Sequence, residues 1–411
     1  MDMKKQLSLA KNASRELRIA SGRQKDTFLK NLANLLVQNT PEILIENKKD
    51  LEKASQLTPA MQKRLTLTAD SIKSIAQGVE EVAKLADPVG TITKMWKQPN
   101  GMQVCKMRVP IGVIFFVFES RPNVIVDAAA LAIKSGNVLI ARGGKEAQFS
   151  NDILQKYISQ ALESAGLSPH CVQQLEDKSH EAIYQVVKQS QYIDLVVARG
   201  REQLIKSVKE NSFVPVIAHE RGLCHLYIDE SANKEMAIKI AINAKTSNPA
   251  TCNTIETLLI HKNCAKNILP ELLNELINKK VEIRGCEKTC KFDKRCVPAS
   301  EEDWATEYLD LILSVKIVDS FEEALGHIEK YSSRLTDAIV TEDSEKAMKF
   351  EHQVNSSTVL VNASNRLTDG GEFGLGAEFG ISTSSIHMRG PMGLEDLTVT
   401  KYVVLGNGQI R

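Results

Sequence analysis

From Ile111 onward, short apolar runs alternate with helical patterns, and no other pattern in the chain limits the possible folds so strongly. The run Ile111 to Phe118 is almost continuously apolar, which is typical of a parallel strand covered on both faces. A helical pattern follows at 124–135, then another apolar run at 137–141, and the alternation continues to residue 362. Parallel strands joined by helices form doubly wound sheets whose ligands bind at the carboxyl ends of the strands. The sequence therefore predicts an α/β protein with ligand sites in the turns after these strands.

Two other segments differ from this pattern. Residues 4–86 have apolar side chains three and four positions apart, which predicts a layer of helices. Short β-prone runs at 91–97 and 102–108 flank Pro99-Asn100-Gly101, which predicts a β-hairpin. The hairpin carries Trp96 among its large apolar residues, and we expect it to protrude and pair with another subunit. An ordinary edge hairpin is the alternative.

Size and charge narrow the classes of function. A chain of 411 residues suggests two or three domains. Its formal net charge of +1 gives no general attraction to nucleic acid or to an anionic membrane, so an anionic ligand needs a local site. No apolar run has the length of a membrane span, and the N-terminus lacks a signal-peptide core. Eight cysteines without a tight framework suit a reducing compartment, and we expect a cytoplasmic protein.

One cysteine stands out by its surroundings. Cys252 lies between Pro249, which prevents a helix from running through, and the β-branched run 254–260, which predicts a strand. A thiol on a short polar turn beside a sheet is a candidate nucleophile, and a buried structural cysteine is the alternative. The other cysteines give no metal site: Cys286, Cys290 and Cys296 lack the paired spacing that zinc requires.

Three turns are suited to anions. Arg142-Gly143-Gly144-Lys145 combines glycines, which let the backbone approach a ligand, with two cations before a helix. A similar turn contains Gly200, and Arg389 has the planar fork that clamps carboxylate or phosphate. Tight turns and solvated side chains explain these residues equally well. An ordinary dinucleotide fold is not supported, because no Gly-x-Gly-x-x-Gly sequence follows a predicted strand.

Several runs together resemble the γ-glutamyl phosphate reductases, members of the aldehyde dehydrogenase superfamily. Each run alone is weak, but they occur in the family's order over essentially the whole chain. The runs are Val109-Pro-Ile-Gly-Val-Ile, Glu119-Ser-Arg-Pro-Asn-Val, Lys134-Ser-Gly-Asn-Val, Arg142-Gly-Gly-Lys-Glu, Asn243-Ala-Lys-Thr, Thr251-Cys-Asn-Thr-Ile-Glu-Thr-Leu-Leu, Val361-Asn-Ala-Ser, Phe373-Gly-Leu-Gly-Ala-Glu and Arg389-Gly-Pro-Met-Gly-Leu-Glu.

The resemblance implies the aldehyde dehydrogenase fold: two doubly wound α/β domains plus a small oligomerisation hairpin. We expect a cofactor-binding domain at 1–228 containing the hairpin at 88–110, a catalytic domain at 229–385, and a return segment with a C-terminal strand at 386–411. It also implies NADPH-dependent reduction of L-glutamyl 5-phosphate to L-glutamate 5-semialdehyde and phosphate, the second step from glutamate to proline. A homo-oligomer is expected. A separate glutamate 5-kinase would supply the substrate, and transient association with it is a further hypothesis.

The resemblance also assigns roles to residues. Cys252 would form a thioester, and its oxyanion would be held by the Cys252 backbone amide with Asn123 or Arg121. We expect the cofactor to contact Arg142, Gly143, Gly144, Lys145, Gly200 and Glu307, with Arg142 and Lys145 as partners of its 2′-phosphate. Substrate contacts are expected from Arg121, Asn253 and Arg389.

One position separates a reductase from an oxidising dehydrogenase. Aldehyde dehydrogenases that hydrolyse the thioester carry a general-base glutamate at about the position of Ala218, and its absence favours phosphate over water as the acyl partner. A shifted alignment would place Glu220 there and restore the base. Two alternatives therefore stay open: a general aldehyde oxidoreductase that makes a free acid, and a catalytically silent binding protein.

Overall fold

The chain forms two compact units in a computed structural model that describes residues 2–54, 56, 59–119, 121–200, 202–218 and 221–411. The first unit contains Met1–Ala218, Gly374–Gly380 and Met392–Arg411. The second contains His219–Phe373 and Ile381–Pro391. The predicted boundary after residue 228 falls one strand later than this division, because the apolar run near 224–228 looked like a continuation of the preceding strands.

The helices follow the predicted pattern, with a helical layer before the first strand. They are α1 (Met3–Leu17), α2 (Gly22–Gln38), α3 (Thr40–Lys53), α4 (Pro59–Leu65), α5 (Ala69–Lys84), α6 (Asn123–Lys134), α7 (Gln148–Ser164), α8 (His180–Val186), α9 (Glu202–Asn211), α10 (Lys234–Thr246), α11 (Lys262–Asn278), α12 (Glu287–Cys290), α13 (Phe321–Tyr331) and α14 (Ser344–Gln353).

The strands confirm the predicted alternation from residue 111 and the predicted hairpin. They are β1 (Ile92–Lys97), β2 (Gln103–Pro110), β3 (Val113–Val117), β4 (Val138–Arg142), β5 (Val172–Gln174), β6 (Leu195–Ala198), β7 (Val216–Ala218), β8 (Cys224–Ile228), β9 (Ile255–His261), β10 (Glu282–Gly285), β11 (Val297–Pro298), β12 (Ile312–Val318), β13 (Thr336–Val340), β14 (Thr358–Val361), β15 (Gly380–Ser382), β16 (Gly390–Met392) and β17 (Thr398–Leu405).

The first unit is built on a parallel sheet with the strand order β5-β4-β3-β6-β7. Every residue of β3 and β4 is buried, which explains why both are apolar apart from Arg142 at the end of β4. The strand order reverses between β3 and β6, where Val117 pairs with Ala198. In open α/β sheets, ligands bind beyond the carboxyl ends of the strands at such a point. The turns after β3, β4 and β6 are therefore the candidate ligand-binding turns of this unit.

A second, antiparallel sheet in the first unit has the order β1-β2-β17, so the C-terminal strand extends the hairpin. Strand β17 has β2 as its neighbour on one side and forms an edge of this sheet. Several of the large apolar side chains on β1 and β17 are exposed: Ile92, Met95, Val399, Tyr402, Val404 and Leu405.

The second unit is built on a parallel sheet with the strand order β11-β10-β12-β9-β8-β13-β14. Helices α10 and α11 pack on it through a core of buried aliphatic residues, including Leu258, Leu269 and Leu273. Within the part of the chain that the structure describes, no helix combines the length and the apolar character that a membrane crossing requires.

Candidate active site

Cys252 lies in the turn that joins α10 to β9, as the sequence predicted. Helix α10 ends at Thr246, Pro249 lies in the turn, and β9 begins at Ile255. Cys252 is of intermediate exposure, whereas Asn253, Thr254 and every residue of β9 are buried. The turn therefore presents the thiol at the surface of the second unit while its following residues are fixed in the sheet. We call residues 247–254 the nucleophile loop, after the role that the sequence predicts for Cys252.

Arg366 braces the nucleophile loop from one side. Its Nη1 donates to Thr251 Oγ1 at 2.7 Å and also to Asn253 Oδ1, and its Nε donates to Ser247 Oγ at 3.1 Å. The side-chain amide of Asn253 donates in turn to the carbonyl of Thr368 at 2.9 Å. Both polar atoms of the Asn253 side chain are thus occupied by the segment 366–368, and the loop has a fixed conformation.

Gly222 packs against the backbone of Cys252 from the other side. A Cβ atom at position 222 would lie 2.1 Å from the Cys252 carbonyl oxygen, so the two backbones can approach this closely only with glycine there. The amide of Gly222 donates to Glu307 Oε1 at 2.8 Å. The Cys224 thiol donates to the Cys252 carbonyl at 3.2 Å, and burial raises its pKa well above the ordinary value. Cys224 is consequently a neutral packing partner.

These contacts meet because β8, β9 and β12 begin at the same edge of the seven-stranded sheet. Cys224 pairs with Ile255, and Ser314 pairs with Thr257, so Gly222, the nucleophile loop and Glu307 all precede neighbouring strands. Gly222 thus links Cys252 to Glu307, which the family resemblance assigns to the cofactor. No role was predicted for Gly222, because glycine is needed there for the close approach of two backbone segments, which no local sequence motif reveals.

In the first unit, the predicted anion turns lie at the carboxyl edge of the parallel sheet. Gly143 is held in close packing, since a Cβ there would lie 2.3 Å from Asn151 Nδ2. Gly200 follows β6, and a Cβ there would lie 3.0 Å from Glu119 Cδ in the turn after β3. The structure thus brings the glycine turns after β4 and β6 to the switch point of the sheet. Arg201, also in the latter turn, lies outside the described residues.

Arg142 is turned toward the protein backbone. Only 4% of its surface is exposed; Nη1 donates to the Gly143 carbonyl at 3.0 Å and Nη2 to the Lys178 carbonyl at 2.8 Å, whereas Nε has no hydrogen-bond partner among the described residues. Burial lowers the pKa of this guanidinium. Lys145 is exposed at the start of a short 3₁₀ turn. Arg142 therefore fixes the two turns, and Lys145 is the cation of this pair that reaches solvent.

Lys178 was missed by sequence reasoning because nothing around it resembles a motif. It follows β5, the neighbour of β4, and its Nζ donates to Gln174 Oε1 at 2.8 Å. Burial lowers the pKa of Lys178; the nearby carboxylate of Asp152 opposes this shift, and the positive charge of Arg142 adds to it. Lys178 joins the carboxyl edge of β4 and β5 as a third basic residue.

Arg121 lies in the turn that follows β3, and Asn123 comes directly after this turn. Asn123 is the first residue of α6, and its Nδ2 donates to Asp127 Oδ2 at 3.0 Å. Burial raises the pKa of Asp127 to about 6, against this hydrogen bond and the positive charge of Arg199, both of which lower it. The amide of Asn123 is held by Asp127 at the switch point. This arrangement orients Asn123 as a hydrogen-bond donor.

Arg389 lies elsewhere in the second unit. Its Nη2 donates to the carbonyl oxygen of Asn355 at 2.6 Å and to Asn355 Oδ1 at 2.9 Å. Asn355 lines a cavity of about 230 Å³ beside α13, together with Arg334 and Ser356. Arg389 donates no hydrogen bond to the described residues of the nucleophile loop. Glu220, the alternative general base, lies outside the described residues.

The chain is similar to known proteins in both sequence and structure. The sequence profile of the Aldehyde dehydrogenase family matches residues 1–289. A γ-glutamyl phosphate reductase of Petrotoga mobilis is 49% identical over 404 residues, which cover 98% of this chain and 97% of that protein. The crystal structure of the γ-glutamyl phosphate reductase of Thermotoga maritima superposes with a TM-score of 0.97 at 41% identity, covering 100% of both chains.

A more distant structure shares the fold. An engineered glycolyl-CoA reductase with bound NADP+ has a TM-score of 0.69 at 16% identity, covering 98% of this chain and 96% of that one.

Proposed function

The chain belongs to the aldehyde dehydrogenase family and, within it, to the γ-glutamyl phosphate reductases, oxidoreductases of proline biosynthesis, and we propose that Cys252 carries its reaction as a thioester. The proposed reaction is the NADPH-dependent reduction of L-glutamyl 5-phosphate to L-glutamate 5-semialdehyde and phosphate. The observation that carries this proposal is the nucleophile loop: a partly exposed thiol whose backbone is packed on Gly222 and braced by Arg366.

The substrate chemistry suits a thiol nucleophile. The Cys252 thiolate attacks the acyl carbon; a carbon–sulfur bond forms, the bond to the phosphate oxygen breaks, and phosphate leaves with the electron pair. An acyl phosphate has a good leaving group, so no strong acid is required. When bound, the reduced nicotinamide supplies a hydride to the thioester carbon. The resulting oxyanion then reforms the carbonyl and expels the Cys252 thiolate.

The oxyanion requires hydrogen-bond donors at the moment its charge develops. We assign this role to the backbone amide of Cys252 with the side chain of Asn123 or Arg121, as the family resemblance implies. The contact of Asn123 with Asp127 supports an oriented amide. Asn253 is expected near the substrate through its position in the loop, while its side chain braces the loop through Arg366 and Thr368. Arg389 stays a candidate for the substrate carboxylate.

Features of the first unit fit a nicotinamide dinucleotide phosphate. Gly143 and Gly200 lie where a Cβ would meet neighbouring atoms, and such turns let a ligand approach the backbone. The carboxyl ends of β4 and β5 carry the exposed Lys145, the half-buried Lys178 and the buried Arg142. In dinucleotide folds an acidic residue near the second strand binds the ribose hydroxyl, and a cation there accommodates a 2′-phosphate. These cations support NADPH rather than NADH, and Glu307 is assigned to the nicotinamide ribose.

The expected acyl partner is phosphate rather than water. Ala218, at about the position of the hydrolytic glutamate in other family members, has no group that could activate water. The thioester should therefore persist until phosphate attacks it. This is the property that distinguishes the proposed reductase from an aldehyde oxidoreductase that makes a free acid.

Running the reaction backwards tests the proposal. Glutamate 5-semialdehyde and NADP+ are mixed with the protein, with and without inorganic phosphate, and NADPH formation is followed by absorbance. Continuous turnover only with phosphate is the expected result. Equal steady-state rates without phosphate would overturn the assignment, and a Cys252→Ala variant with undiminished activity would overturn the mechanism.

Two separate arguments support the proposed partner proteins. The exposed apolar residues of β1 and β17 and the free edge of β17 support a homo-oligomer that pairs through this sheet. The acyl phosphate is labile in water, so we also propose a transient association with the glutamate 5-kinase that makes it. Co-sedimentation of the two proteins at high concentration tests that association, and separate sedimentation would count against it.

A further inference from the structure

A fully buried ion pair encloses the nucleophile loop. Lys245 lies near the end of α10 and Glu256 near the start of β9, and their Nζ and Oε2 atoms are 2.6 Å apart. The side chains are 0% and 1% exposed. Removing two charges from water is expensive, and apolar residues of similar size commonly stabilise a protein as well or better. Stability alone is therefore a poor explanation for a buried pair at this position.

The second oxygen of Glu256 reaches a different segment. Its Oε1 accepts a hydrogen bond from the backbone amide of Leu309 at 3.1 Å. Leu309 has a φ of 53°, a conformation that side chains other than glycine rarely adopt. The ring of Tyr308 lies 6.0 Å from Lys245 Nζ. One carboxylate thus holds both the helix before the nucleophile loop and the segment 307–309.

That segment leads back to the thiol. Glu307 accepts the amide hydrogen of Gly222, and Gly222 packs on the Cys252 backbone. The contacts form a closed path from Glu256 through Leu309, Glu307 and Gly222 to Cys252, whose loop returns to Glu256 along β9. A displacement of the Leu309 segment would therefore be transmitted to Glu307 and to the backbone of the nucleophile.

We propose that Glu256 is a positioning residue, which fixes the Glu307 segment and the nucleophile loop in one geometry for hydride transfer. Lys245 neutralises the charge of Glu256. The Glu256 oxygen that accepts the Leu309 amide hydrogen holds the segment 307–309 in place. The role rests on the proposed function, because Glu307 is assigned there to the nicotinamide ribose. Burial raises the pKa of Glu256 to about 7, and the ammonium of Lys245 opposes this shift.

Two double variants separate positioning from stability. Lys245→Met/Glu256→Met removes both charges and the acceptor, whereas Lys245→Met/Glu256→Gln removes both charges but keeps an oxygen for the Leu309 amide. Each variant leaves one polar group short of a partner, the Leu309 amide in the methionine variant and the glutamine side chain in the other, so the two should melt at similar temperatures. Positioning predicts that only the methionine variant loses function.

The readouts are kcat, the KM for NADPH and the rate of Cys252 alkylation by iodoacetamide in the protein without ligands. We expect the glutamine variant to stay within about 3-fold of wild type, and the methionine variant to lose about 10-fold or more in kcat and in alkylation rate, with a raised KM. Lys346→Met is the matched control, because it breaks the 3.1 Å pair with buried Asp229 in the same unit. It should lower the melting temperature and leave kcat unchanged.

Equal kcat values and equal alkylation rates in the two double variants would overturn the proposal. So would function that follows the melting temperature across all variants, including the control. Alkylation requires neither substrate nor cofactor. If the wild-type protein lacked phosphate-dependent turnover, the proposed function would fall, while the alkylation comparison would still decide whether Glu256 positions Cys252.

Discussion

Replacing Gly222 by alanine would force the backbone of Cys252 away from its present position. The new Cβ would lie 2.1 Å from the Cys252 carbonyl oxygen and 2.7 Å from its Cα. Both atoms belong to the backbone, so no side-chain rotation relieves the overlap. The two segments must separate by more than about 1 Å to reach an ordinary non-bonded distance. Arg366 and the start of β9 hold the other side of the loop, and the displacement therefore falls on the thiol.

The magnitude follows from the geometry of the reaction. A misplacement of about 1 Å at a reacting group lowers the rate by about 100-fold, equal to about 2.7 kcal/mol of transition-state stabilisation. Overpacking should lower the free energy of unfolding by about 1–3 kcal/mol. Phosphate-dependent NADP+ reduction measures kcat/KM, and urea denaturation measures the free energy of unfolding.

Gly326→Ala is the matched control. Gly326 lies inside α13 of the same unit, and a Cβ there would meet no atom within 4 Å. Alanine should stabilise the helix by about 0.5–1 kcal/mol and leave kcat/KM unchanged. A Gly222→Ala protein with kcat/KM within about 3-fold of wild type would refute the reasoning that this glycine sets the position of the nucleophile.

Three other variants test separate parts of the structure. Lys178→Ala should weaken the binding of adenosine 2′,5′-bisphosphate by about 10-fold or more, measured by calorimetry, and should leave the binding of AMP unchanged. Replacement of the exposed Lys188 by alanine is the control. Equal effects of Lys178→Ala on both ligands would contradict the 2′-phosphate contact. Burial lowers the pKa of His327 to about 2. Below about pH 6.5, this histidine therefore binds a proton in the unfolded chain but not in the folded one. Each further fall of one pH unit lowers the free energy of unfolding by about 1.4 kcal/mol because of this residue. His327→Phe should flatten urea-derived stability between pH 6.5 and 4.5, and an unchanged slope would contradict this. Val404→Asp on the exposed edge of β17 should yield monomers in light scattering, and an intact oligomer would exclude this edge as the interface.

The fold was predictable where the signal is local. The strand β3 is an apolar run bounded by turn residues, β4 is apolar up to Arg142, β9 is rich in β-branched and aliphatic residues, and the hairpin is marked by Asn100-Gly101. The boundary near residue 228 was less predictable, because β8 looks like the strands before it. Its place between β9 and β13 depends on pairings with residues up to about 110 positions away along the chain.

The turn that carries Cys252 was predictable from the sequence, but the contacts that hold this turn were not. Cys252 itself was proposed as the nucleophile from its turn and from the family resemblance. Arg366 and Gly222 contact its loop from positions 114 residues after it and 30 residues before it, and neither belongs to a local motif. The direction of a side chain was equally hidden: Arg142 looked like an anion contact, yet its guanidinium donates to two backbone carbonyls.

A thioester at Cys252 would change the mass of the one peptide that carries this residue. The protein is mixed with glutamate 5-semialdehyde and NADP+ without phosphate, quenched in acid and digested at low pH with pepsin, and the peptide that contains Cys252 is identified by its fragment masses. We expect that this peptide gains the mass of one glutamyl group as one NADPH forms per chain, and that added phosphate removes it. An unmodified peptide during continued NADPH formation, or an adduct on another residue, would contradict it.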